Sequence, residues 1–131
     1  PASGSVGPVG ALIIGTLSGI ICWYASTVIK IKRGYDDSLD VFGVHGVGGF
    51  VGTLLVAFLA SPAFGGNQEG LNMGKQFGIQ LFASFFTIVY TLVATWLILK
   101  VIDGRIGLRV SDSEEREGLD IASHGEAGYE I

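Results

Sequence analysis

The sequence predicts an all-α integral membrane protein, three membrane-crossing helices and a polar C-terminal tail, on three observations. Charged residues make up only 15% of the 131, where soluble domains usually carry about 25%. They are absent from residues 1–29, 41–68 and 77–99, and each gap exceeds the roughly 20 helical residues that cross a bilayer core. Finally, LLVAFLA and FFTIVYTLVATWLIL show neither the polar stripe of a soluble protein's core helix nor the alternation of a barrel strand.

The first helix is expected over about 7–29. Gly15 and Gly19, four apart, form a small-residue stripe that lets another helix approach closely. Trp23 and Tyr24 lie toward its end, where aromatic side chains settle at the lipid–water boundary. The second helix, about 41–60, follows the acidic loop of Asp36, Asp37 and Asp40 and stops at Ser61-Pro62, because proline cannot continue the hydrogen-bond ladder. AFGGNQEGLNMGK reads as an exposed loop. The third helix is expected over about 77–102, with Trp96 toward one end. Residues 1–103 are thus the membrane region and 104–131 the tail. Lys30, Lys32 and Arg33 follow the first helix, and Lys100, Arg105 and Arg109 lie at the end of the third. By the positive-inside rule both ends, and the tail, are cytoplasmic.

The tail holds seven acids against three arginines and almost no apolar periodicity, so composition alone favours a solvated, disordered end. Net charge is −4 with no basic patch, which argues against a nucleic-acid partner. The single Cys22 can form no internal disulfide. No basic region precedes the first apolar stretch, so no signal peptide is read. The opening Pro-Ala-Ser-Gly suggests a partial chain. Three helices are too few to enclose a pore, so further helices or subunits are implied.

Chemistry concentrates in DVFGVHGVGGFVG, residues 40–52. Gly43, Gly46, Gly49 and Gly52 recur every three residues, and each costs about 1 kcal/mol relative to alanine in a water-exposed helix. Close helix packing explains most of them, either as a groove for another helix or beside a narrow channel. His45 is the only histidine in the span interiors and is read as their one ionisable candidate, since the unperturbed pKa of an imidazole lies near 6.5. Ionisable groups inside a membrane usually face a cavity, a proton path or a paired group. A neutral imidazole can accept a proton or hydrogen bond from a passing molecule and return it. Metal or haem ligation needs further ligands at that depth, and His124 lies in the tail, so no metal and no cofactor are expected. No nucleophile–base pair or phosphate loop occurs, and no enzymatic activity is expected.

DVFGVHGVGGFVGT at 40–53 closely resembles the signature around the second pore histidine of the bacterial and archaeal ammonium transporter family. GLRVSDSEEREGLDIASHGEAGY in the tail and PASG…GALIIG at the start resemble the same family, in the same order, over nearly the whole chain. The resemblance implies the last three of eleven spans, in a homotrimer whose subunits each hold a narrow hydrophobic pore for ammonium or ammonia. It makes His45 the second of two mid-membrane histidines, its partner lying outside this sequence, and Val41 a pore-lining position. Asp36, Asp37 and Asp40 become the cytoplasmic mouth, where PII-type signal proteins dock. The tail, with Gly118, Leu119, Asp120, His124, Gly125, Glu126 and Tyr129, becomes a regulatory segment tied down against the subunit floor. Counting from Val41 nevertheless puts His45 only about 6 Å into an ideal helix, so either the helix begins earlier or the acidic loop dips inward. Two other readings remain open: a membrane-bound ammonium sensor on the same scaffold, and an anchor in which His45 is merely packed.

Overall fold

A computed structural model describes residues 2–129, all helix, turn and loop among the described residues. Three helices are long and apolar enough to cross a membrane: α1 (Pro8–Arg33), α2 (Phe42–Leu59) and α3 (Met73–Ile106). A short fourth helix, α4 (Asp112–Glu117), follows in the tail. The chain divides into two compact units, the boundary falling between residues 88 and 89 within α3.

Helix α1 starts on Pro8, whose fixed φ suits a first turn that needs no amide donor. It runs on past the expected end near residue 29, through a π-helical turn at Ala25–Ile29 to Arg33. Lys30, Lys32 and Arg33 occupy its last turn, where positive charge complements the carbonyl end of the helix. Gly34 ends it in a left-handed conformation, φ +63°, its amide donating to the Lys30 carbonyl at 2.8 Å. A side chain there would be strained, so the stop is local and firm.

In the first unit α1 and α2 form an antiparallel hairpin. Leu59 lies beside Gly10, and Gly48 beside Cys22, so closely that a Cβ would stand 3.2 Å from the Leu59 carbonyl oxygen and 3.0 Å from the Cys22 sulfur. Gly43 is tighter still: a Cβ there would collide with the Ser26 hydroxyl. The buried apolar side chains are small or medium, Ala25, Val56, Ala57, Leu59 and Ala60. The glycines of α2 do not form one groove. Gly43 and Gly48 face α1 and Gly52 is buried, whereas a Cβ at Gly49 would meet nothing within 4 Å and one at Gly46 only the Phe42 ring. Three residues turn a helix through about 300°, so each glycine in that series points some 60° away from the last. Gly15 and Gly19 likewise face open space among the described residues.

Beyond α2, Ser61 caps a 3₁₀ turn (Pro62–Phe64) by accepting the Ala63 amide at 3.2 Å. The loop folds back over the start of the chain through Asn67, whose side-chain amide donates to the Gly4 carbonyl at 2.8 Å. Asn72 accepts the Lys75 amide at 3.0 Å, and α3 begins at Met73, ahead of the expected residue 77. None of the described residues of α3 is buried. In the second unit α3 ends before Gly107, φ +79°. Ser111 then opens α4 with a capping box: its hydroxyl accepts the Glu114 amide, and Glu114 accepts the Ser111 amide at 2.9 Å. A π turn at Asp120–His124 follows and closes on Gly125, φ +65°. The tail is therefore locally helical, not the featureless segment its composition suggests.

Candidate functional site

His45 lies in the π-helical turn Phe42–Gly46 that opens α2. The helix does not begin earlier than expected, which removes one of the two ways to place the imidazole deep in the span. What the hairpin shows is the level of His45 along α1. Gly43 packs on Ser26, and Val44 on Cys22, so His45 sits level with a part of α1 seven to eleven residues before Arg33. At 1.5 Å per residue that is roughly 10–17 Å along the helix from Arg33. The loop 34–40 runs back along α1, and that sets this level.

Each of the five residues before His45 has a tie. Asp40 adopts a left-handed conformation, φ +54°, the one non-glycine residue with positive φ among those described. Its carboxylate accepts from Lys30 Nζ at 2.7 Å, and its carbonyl accepts the Val44 amide at 2.8 Å. Asp37 accepts the Val41 amide at 2.8 Å through Oδ1 and the Phe42 amide at 2.9 Å through Oδ2. Those are two of the four amides that a helix start leaves unpaired. Gly43 meets Ser26, in the π turn of α1. The Val44 carbonyl accepts the Cys22 thiol at 3.7 Å. Tyr35 adds an edge-on contact to the Phe42 ring, centroids 5.8 Å apart.

After these ties comes the imidazole, exposed on the hairpin, as are Val41 and Val44. Val41 and His45 are one helical turn apart and present one apolar and one titratable side chain to the same surroundings. Of the three acids assigned to the mouth, Asp37 and Asp40 take part in building the turn. Sequence reasoning used Lys30 only for orientation and Cys22 only as an unpaired thiol, and did not name Ser26. An i, i+10 Lys–Asp pair carries no periodic signal, and contacts across a hairpin become visible only once its register is known.

At the other end of the hairpin lies a cleft of about 270 Å³ lined by Ser5, Gln68, Gln76 and Gln80 among others. It is remote in register from His45. In the tail, Asp120 accepts the Glu126 amide at 2.9 Å and Gly118 the Ala122 amide at 2.9 Å, both through backbone carbonyls. Leu119, His124 and Tyr129 are exposed in their unit. The Ser111 hydroxyl, then its amide, hold the Glu114 carboxyl below its usual range.

The model of the Ammonium Transporter Family matches residues 1–129. An ammonium transporter of Aquifex aeolicus is 43% identical over 133 aligned residues, covering 100% of this chain and 31% of the relative. Ammonium transporter Amt1 of Archaeoglobus fulgidus is 39% identical over 98% of this chain and 33% of its own. An ammonium transporter of Bacillus subtilis is 36% identical over 99% and 33%. The chain spans about a third of the length of these curated relatives.

Proposed function

Since the chain belongs to the ammonium transporter family, we propose that it forms the histidine-bearing C-terminal part of a pore that conducts ammonium or ammonia across a membrane. One observation carries this reading. An imidazole stands exposed on an apolar hairpin that holds no second histidine, where lipid would penalise it. A neutral imidazole can accept a hydrogen bond or proton from the passing species and hand it on. Val41 lines the path below it. A second histidine, from residues outside this sequence, completes the pair.

The same reading places the basic end of α1 and the tail in the cytoplasm, with Asp36, Asp37 and Asp40 at the inner mouth of each subunit of a homotrimer. A PII-type signal protein docks there and on the tail, reporting nitrogen status. The locally folded tail supports this role, since an ordered segment presents a defined surface.

The test is methylammonium uptake by the full-length protein in cells lacking other ammonium transporters. His45→Ala is expected to lower uptake or to admit other cations. Removal of residues 112–131 is expected to spare most conduction while abolishing its response to the signal protein. A full-length protein that conducts nothing, yet whose truncation abolishes a downstream nitrogen response, would favour the sensor.

A further inference from the structure

We infer that Lys30, Asp37 and Asp40 are positioning residues for His45, and that their ties fix the height and direction at which the imidazole enters the conduction path. The inference rests on the conduction reading above but goes beyond it, because none of these three side chains then acts on the permeant directly.

Two facts carry it. Left-handed φ at Asp40 disfavours most side chains, so the residue needs something to hold it. The 2.7 Å ion pair to Lys30 does so, and it fastens the first rung of α2 to the last turns of α1. Meanwhile Asp37 occupies both of its oxygens with consecutive amides of α2. With residues 40, 41, 42, 43 and 44 each held by α1 or by the loop, the backbone that carries His45 has little freedom to rotate. A π turn accommodates one residue more than an α turn. If it relaxed to an α turn, His45 would swing about 100° around the helix. The ties keep the imidazole on one side of the hairpin.

The experiment uses the full-length protein in proteoliposomes, with methylammonium flux and potassium exclusion normalised to the amount of inserted protein. Lys30→Met and Asp40→Asn are expected to lower flux about tenfold or more, or to let potassium through, because a small misplacement of a reacting group is enough to do so. Lys30→Arg restores the bridge and is expected to keep both properties. Asp40→Asn still tolerates the left-handed backbone, so its effect reads the charge and not the turn. Should Lys30→Met fail to insert, Asp40→Asn and Asp40→Gly decide the matter. If these variants keep flux and exclusion while His45→Ala loses them, positioning is overturned and conduction stands. If His45→Ala also changes neither, both are overturned.

Discussion

The two ends of the α1–α2 hairpin are held by different forces. At the far end Gly10 meets Leu59, and Val56, Ala57 and Ala60 are buried. There the contact is apolar, close and non-directional. At the end that carries His45 the fastenings are directional: an ion pair, a doubly used carboxylate, a thiol on a carbonyl, and a serine wedged against a glycine. Apolar packing tolerates small rotations, whereas hydrogen bonds lose strength quickly with angle. The directional fastenings lie beside the hairpin's one imidazole.

The largest effect is expected at the closest contact. Gly43→Val drives a branched side chain into Ser26, whose backbone Cα and N already stand 3.1 Å from where the Cβ would be. Overpacking of this kind costs about 1–3 kcal/mol or more. Inserted protein should fall sharply, read by fluorescence-detected size-exclusion chromatography, and Ser26→Gly should recover part of the loss. If Gly43→Val behaves as wild type, the close approach is not what fixes the hairpin.

A matched change at the far end sharpens the contrast. Ala57 is 0% exposed, so Ala57→Leu is expected to cost about 1–3 kcal/mol by overpacking. It should lower the melting temperature yet leave ion selectivity unaltered in the protein that does insert. Altered selectivity from this position would remove the distinction between the two ends.

How much of this was legible in the sequence follows from the same contrast. The three spans were, because an apolar, charge-free run of about twenty residues matches the bilayer core in length and lacks the polar face of a soluble helix. Their exact ends were not: Lys30 to Arg33 look like a loop by charge but continue α1, as good helix formers in a favourable dipole. His45 stood out as a lone imidazole, and the motif around it resembled one family. Its level along α1 did not, since that depends on Gly34 and Asp40 turning the chain back along α1. The glycines at steps of three read as one groove, and helix geometry scatters them over several faces. Asp37 and Asp40 read as mouth acids, although Asp37 four residues before Val41 was an available capping signal. Ser111-x-x-Glu114 was equally available as a capping box. Composition concealed it, because seven acids suggest disorder.

Smaller effects are expected in the tail, where the two units differ most in burial: no residue from 89 to 129 is buried. Ser111→Ala removes the cap of α4 and should cost that helix about 1 kcal/mol, visible as faster amide exchange at Glu114 and Glu115. The pH dependence follows from the lowered Glu114 carboxyl. Its contribution is complete above the unfolded carboxyl value of about 4.3 and fades as pH falls through the lower, folded value. Protection of the Ser111 amide, its exchange rate relative to an unstructured peptide at the same pH, should therefore persist at pH 5 and be lost only in stronger acid. Loss of protection already between pH 7 and 5 would contradict the capping box.

Ammonium-evoked current in proteoliposomes of the full-length protein tests the central claim most directly. Wild type should give a current that potassium does not elicit. His45→Ala, inserted to the same level, should lose that current about tenfold or more, or gain a potassium current, since positioned proton acceptors contribute roughly 10²–10⁴-fold in comparable chemistry. Equal currents and equal potassium exclusion in the two proteins would show that the imidazole takes no part in conduction.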